Sequence, residues 1–573
     1  MAEVLLSPGV LARENDQSFI TAQPVQAGAA IVGPTVKGPV GIPTVVTSYS
    51  DYTNTFGAKV ESGSAEYSYF TSISAYNYFQ QGGDSLLVTR VVSGSFTSAT
   101  SSKIDNGDSN NAFVLETLTE GEIANSTSTE GTNNTLPSGS NDNLRWEIVS
   151  PNTSSGTFNL LVRRGNDSSK QKVVLETWPN LSLDPNSDNY ITKVIGDAKQ
   201  TVRNDGSNDY FLQYSGSYNN ISRYVRVKSV DTPTLNYLDN NGAAKTAFES
   251  LIPVAGSGSF GDAEGSNIPT GRAANYYQNI SNTDSQGLIA TDYATSISLL
   301  ANQDLFQYNI ITVPGLVKNF SSNSGTLTTL VDNAQTRGDN LAIIDLVQYG
   351  QNIGTVTSKA TDIDSSYAAT YWPWLQTIDP DLGSQVFVPA SAMMPGVFAF
   401  NDRASETWFA PAGLNRGGLS TVIRAERNLT NSNRDTLYTA NVNPIATFPN
   451  TGVVVFGQKT LQKKPSALDR VNVRRLLITI KSFISQIADN LVFEQNSVAT
   501  RNNFLSQVNP YLASVQQRQG LYAFKVVMDE SNNTPDVIDR NQLVGQIFVQ
   551  PTKTAEFIYL DFNVLPTGAT FPA

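Results

Sequence analysis

The clearest periodicity in the chain lies near its C-terminus. Val473, Leu476, Leu477, Ile480, Ile484, Ile487 and Leu491 recur at helical spacing and form one apolar stripe. This pattern predicts a helix over 466–493. A second helical pattern runs through Phe504, Val508, Tyr511, Leu512 and Val515. Pro510 falls inside it and predicts a kink or a break, and Gly520 ends it. Strand-like runs follow at Leu521–Met528, Val544–Val549 and Ala555–Val564. In the last, Ile558, Leu560 and Phe562 share one face while Phe557, Tyr559 and Asp561 share the other.

Upstream, Tyr69, Ile73, Tyr76 and Phe79 predict a helix over 62–81, ended by Gly82-Gly83, and Leu86–Val92 reads as a strand. Asn309–Val313 and Leu341–Val347 read as strands. The stretch between them, including Thr326–Arg337, reads as a crossover helix, which makes a βαβ unit. Between these regions the pattern changes. Residues 93–143 are rich in Ser, Thr, Asn and Gly around one apolar run, Ala112–Leu118. Strand-like runs then appear at Arg145–Val149, Phe158–Arg163 and Val173–Trp178. Residues 1–25 hold extended pieces around Ser7-Pro8-Gly9, with too little apolar surface to fold alone.

These patterns predict a multidomain chain of α/β and α+β class. A segment at 1–25 forms an N-terminal arm. Residues 26–92 and 291–455 form a middle α/β domain. A β-rich surface insertion spans 93–200 and a second spans 201–290. An α+β domain spans 456–573. A length of 573 residues accommodates that many cores.

Composition removes much chemistry. The chain has no His and no Cys. Ser-His-Asp and Cys-His sites are therefore impossible, as is any zinc site built on those ligands. The βαβ unit at 309–347 lacks G-x-G-x-x-G, and G-x-x-x-x-G-K-[ST] occurs nowhere in the chain, so the nucleotide-binding reading is weak. The first residues show no signal peptide, and no run of 18 apolar residues predicts a membrane span. Net charge is −12, unevenly spread. From Phe456 onward 12 Lys/Arg face 9 Asp/Glu, a net of +3, which leaves −15 for the first 455 residues. Lys459–Lys481 holds seven basic residues and one acid, Asp469. On an ideal helix Arg470, Arg474 and Lys481 fall in one band beside the apolar stripe. That band reads either as a solvated face or as a contact for an acidic partner.

Several phrases, taken in order, resemble the tail sheath proteins of contractile-tailed, myovirus-type bacteriophages. They begin with Leu6-Ser7-Pro8-Gly9-Val10, Gly33-Pro34, Lys37-Gly38-Pro39 and Phe56-Gly57. Tyr78-Phe79 with Gly82-Gly83 and Val88-Thr89-Arg90-Val91 come next, then Asn180-Leu181-Ser182-Leu183-Asp184-Pro185. Trp372-Pro373-Trp374, Ala410-Pro411-Ala412-Gly413 and Gly452–Gly457 follow. Val471-Asn472-Val473-Arg474-Arg475-Leu476 is the most specific, and Phe493-Glu494-Gln495-Asn496 and Ala555-Glu556-Phe557-Ile558 complete the series. Residues 93–143 match no phrase of the family.

The resemblance implies a structural subunit, not an enzyme, with no cofactor and no metal. It implies stacked hexameric rings around a tail tube, which contract to drive the tube through the host envelope for genome ejection. The implied partners are other copies of the chain, the tube protein, and the baseplate and tail terminator proteins, with no nucleic-acid contact and no membrane insertion. The implied location is the virion tail, after synthesis in the host cytoplasm. The insertions would lie outside, and the C-terminal domain would lie inside, completed by N-terminal arms. Arg470, Arg474, Arg475 and Lys481, with Lys463 and Lys464, are the expected tube-facing residues. For Arg474 and Arg475 an internal role beside acids stands as an equal alternative. Val4, Leu6, Val10, Phe557, Ile558, Tyr559, Leu560 and Phe562 are the expected intersubunit arms. Two other readings compete: a β-rich phage surface or fibre protein binding host glycans, and a carboxylate hydrolase using a pair such as Asp362 and Asp364.

Overall fold

The computed structural model describes residues 25–62, 65–127, 129–132, 134–206, 209–266, 280–449 and 451–557. Among these, six helices matter below: α1 (Phe70–Gln80), α2 (Ser321–Arg337), α3 (Ala390–Ala404), α4 (Asn431–Thr439), α5 (Val471–Asp489) and α6 (Val498–Gln517).

An eight-stranded sheet forms the middle of the molecule. Its spatial order is 452–455, 443–448, 368–372, 341–345, 310–317, 29–33, 86–90 and 44–46. The pairings from 443–448 through 86–90 are parallel, and the two outermost are antiparallel. The strands Ala29–Gly33, Leu86–Arg90, Ile310–Val317, Leu341–Asp345 and Ala368–Trp372 are buried at every position. That uniform burial follows from cover on both faces. Leu327, Leu330 and Val331 of α2 pack on one side. Phe70 and Ile73 of α1, with Met393, Val397 and Phe398 of α3, pack on the other. Both chain segments of the expected middle domain, before and after the insertion, contribute strands. α2 ends where Gly338 takes a left-handed conformation, φ +71°.

Three expectations change in detail. The helix expected from 62 begins only at Phe70. Val60–Ser62 and Ala65–Tyr67 pair instead as antiparallel strands, and Val60 buries against Val36 and Tyr69. The helix expected from 466 starts at Val471, after a single 3-10 turn at Ala467–Asp469. α6 continues through Pro510 without a break. Pro510 and Ser506 are both exposed, so the carbonyl that the proline leaves without a donor faces water.

The division of 93–290 at residue 200 is also corrected. One seven-stranded sheet runs 174–182, 157–164, 144–152, 256–261, 98–101, 113–120 and 225–230. Val225–Val230 pairs with Phe113–Glu120, and Gly256–Gly261 lies between the 144–152 and 98–101 strands. The two expected insertions thus share one sheet and one core, built on Phe113, Trp146, Phe158, Leu160 and Phe260. A separate strand pair, Lys199–Asn204 with Tyr210–Ser215, turns Val202, Tyr210 and Leu212 toward the core of the middle domain.

Asp345 ends a central strand with 4% exposure. The amides of Ser391 and Gly315 and the Ser391 hydroxyl donate to it. Burial outweighs those bonds and raises its carboxyl to about 7. Proton binding by the native carboxyl therefore stabilises the fold. This contribution is complete below the ordinary value of 3.8 and is lost as pH rises to about 7. Thermal unfolding midpoints of Asp345→Asn should lose that slope between about pH 4 and 7. A slope equal to that of the parent chain would assign the titration to another group.

Candidate assembly surface

α5 and α6 pack against the strands Leu521–Val527 and Gln546–Pro551. Leu476, Ile480, Ile487, Phe504, Val508, Leu512 and Val515 form their core, together with Trp408 from the middle domain. The apolar stripe explains this seat: it is the face α5 buries.

The basic residues on and before α5 separate into two groups. Arg475 is 3% exposed. Its Nη1 and Nη2 donate to the two carboxylate oxygens of Asp402 on α3, at 2.8 and 2.5 Å, and Nη1 also reaches the Thr407 carbonyl at 3.3 Å. Its guanidinium lies 4.8 Å from the Phe398 ring centre. Arg474 is 4% exposed, sits 3.9 Å over the Tyr367 ring and donates to the Ser366 hydroxyl. Burial lowers its pKa, and Tyr367 opposes that shift. For this pair the internal alternative is the one that the geometry fits. Arg470 is extended rather than helical, so the predicted band does not include it. It pairs with Glu556 at 2.8 Å and Asp469 at 3.0 Å.

Lys463, Lys464 and Lys481 are exposed and form no ion pair among the described residues. They border one loop. Asp364 accepts from the Lys463 amide at 2.9 Å, and the Lys481 ammonium lies 3.4 Å from the Tyr367 hydroxyl. Asp362 sits 3.7 Å from Lys359. The two aspartates named for a hydrolase are thus spent on loop structure. Among the described residues no cluster of acids could hold a metal, and no helix is long and apolar enough to cross a membrane.

The C-terminal strands form a two-stranded antiparallel sheet with no third strand among the described residues. Phe524, Val526, Ile547 and Val549 turn toward the core, while Tyr522 and Phe548 are exposed. Among the described residues neither outer edge pairs with a further strand, though the Tyr522 and Val527 carbonyls accept from Gln516 and Asn532. Phe557 is 67% exposed. Val4, Leu6, Val10, Ile558, Tyr559, Leu560 and Phe562 lie outside the described residues, as does most of the strand expected at 555–564; residues 555–557 form no strand.

Sequence patterns missed Asp402, Tyr438 and Glu556, each of which binds a basic or polar group from a distant segment. Tyr438 and Glu556 are 118 positions apart, so no local periodicity relates them.

Comparison with known proteins bears on the same segment. Residues 290–461 match the phage tail sheath protein central domain, and residues 463–565 match the phage tail sheath C-terminal domain. Residues 290–565 belong to the phage tail sheath family. The tail sheath protein of Vibrio phage KVP40 is 42% identical over 185 residues, covering 32% of this chain and 28% of that protein. The tail sheath protein of Enterobacteria phage T4 is 36% identical over 230 residues, covering 40% of this chain and 35% of that one. The matched segments thus span about a third of these relatives' own length. The sheath fold extends further: the crystal structure of a sheath tail protein from Listeria innocua superposes with a TM-score of 0.51 at 9% identity, over 92% of this chain and 95% of that one.

Arg475→Ala would leave Asp402 without its partner. The loss should be about 2–3 kcal/mol, at the low end for a buried pair because the Asp402 side chain is 30% exposed. Lys481→Glu should change stability by no more than about 0.5 kcal/mol. Denaturant unfolding of the two variants checks this contrast. Equal, small losses would mean that the Arg475 pair joins nothing.

Proposed function

We propose that the chain is a structural subunit of a contractile phage tail sheath. In this reading it assembles as stacked hexameric rings around a tail tube, with baseplate and terminator proteins at the ends. The observation that carries the proposal is the sheath-family match at 290–461 and 463–565, in which the strand pair 521–527 and 546–551 has no third strand among the described residues. A strand from a neighbouring copy would add a ladder of backbone hydrogen bonds, each worth about 0.5–1.5 kcal/mol net. Such a ladder can hold neighbours together while side contacts rearrange. Contraction is then rigid-body movement of subunits from a metastable extended state. No reaction at a catalytic centre is required. The domain assignment follows: an N-terminal arm, a middle α/β domain, a β-rich insertion outside, and a C-terminal domain inside. The tube-facing role passes to Lys463, Lys464 and Lys481, whose charges are not used internally.

Electron microscopy of the purified chain tests assembly. Striated tubes or stacked rings are expected from the full chain and should be lost when residues 1–20 are removed. Tubes from both forms would remove the N-terminal arm from the mechanism. Absence of any ordered assembly, even with tail tubes and baseplates as nuclei, would overturn the sheath reading. For the tube contact, Lys463→Glu, Lys464→Glu and Lys481→Glu combined should weaken co-sedimentation with tubes about tenfold at low salt. The difference should shrink above about 0.15 M salt, where the screening length falls to about 8 Å. Undiminished co-sedimentation would place the contact elsewhere.

A further inference from the structure

A cavity of about 750 Å³ is walled by Trp408, Arg434, Tyr438, Phe456, Gln458 and Glu556. At one wall the chain leaves the last strand at Pro551, and the Thr552 amide donates to the Gly520 carbonyl at 3.1 Å. The chain then runs in irregular backbone to Glu556. Here three segments converge on one carboxylate. Arg470 Nε donates to Oε1 at 2.8 Å, from just before α5. Gln458 Nε2 donates to the same oxygen at 3.0 Å. The Tyr438 hydroxyl, on α4, donates to Oε2 at 2.6 Å. Gln458 also donates to the Thr554 hydroxyl at 2.6 Å. One residue later Phe557 is exposed.

We infer that Glu556 is a clasp that ties the stretch 552–556 to both domains at once. Four observations support it. The partners lie on separate segments: Tyr438 belongs to the middle domain, while Arg470 leads directly into α5. Both carboxylate oxygens are occupied, which fixes orientation as well as position. The site is mostly shielded, with 17% exposure of the Glu556 side chain and 24% of Arg470. Burial alone would raise the Glu556 carboxyl; the bonds from Arg470, Tyr438 and Gln458 instead hold it below its ordinary value, so the charged, bonded form persists at neutral pH. Any pull on Glu556 therefore reaches α4 and the start of α5 together, instead of peeling the last strand from its neighbour. The inference concerns a single chain and does not rest on the proposed function.

Hydrogen exchange of the full chain, resolved to short peptides, tests the clasp. Glu556→Gln keeps the shape of the side chain and removes the charge. Exchange at residues 552–557 should rise at least tenfold, while residues 546–551 and α5 stay within twofold of the parent. Arg470→Gln should do the same. The double variant should add little to either single change, because both remove one interaction. Tyr438→Phe, which keeps the ring, should give a smaller rise in the same residues. Unchanged exchange at 552–557 in both Glu556→Gln and Arg470→Gln overturns the clasp. So does an equal rise across 546–557 and α5, which would mark general loosening of the domain.

Discussion

Two neighbouring guanidiniums at the start of α5 hold the molecule's two inner parts in one arrangement. Arg475 reaches Asp402 on α3, and Arg474 lies on Tyr367 beside the central sheet. Arg475 cannot leave its site cheaply, because its loss would strand the Asp402 carboxylate. A pair of this kind adds modestly to stability but permits little variation in geometry. The direction of α5, the position of Lys481 at its flank, the cavity beside Arg434 and the convergence on Glu556 all depend on it. An apolar joint of equal area would allow α5 to slide.

The elements with strong local signals were legible. The α5 stripe, the crossover helix α2 and the fully apolar strands around it each carry a period or run that a chain must satisfy locally. Much of the sheath phrase Val471–Leu476 is visible as sequence, and family comparison agrees over 290–565. What local reading could not reach was pairing over distance. Gly256–Gly261 is too glycine-rich to look like a strand, yet it fills a gap between the 144–152 and 98–101 strands, so the insertion looked divisible.

For the basic run, the sequence left two readings open. A run of basic residues with few acids nearby suggests an external partner. For Arg474 and Arg475 the balancing groups came from within the chain: Asp402, the Ser366 hydroxyl and the faces of Tyr367 and Phe398. An aromatic face neutralises nothing in a charge count, though it attracts a cation. Linear charge bookkeeping is therefore blind to half of what received these arginines. The three lysines, whose ammonium groups are strongly hydrated, stay exposed.

The order of strands in the central sheet sets a timetable for synthesis. Ala30 pairs with Ile311, while its other neighbour, the 86–90 strand, arrives early. At about 5–20 residues per second, the roughly 280 residues between the two partners take about a quarter of a minute to a minute to emerge from the ribosome. From the emergence of the 86–90 strand until that of 310–317, the strand at 29–33 has one mate available and a bare apolar flank. The insertion, with a core of its own, is complete well before the gap can close. Nascent chains thus pass through a stage in which the periphery is finished and the centre is not, and protection of that flank in the cell becomes part of how this molecule is made.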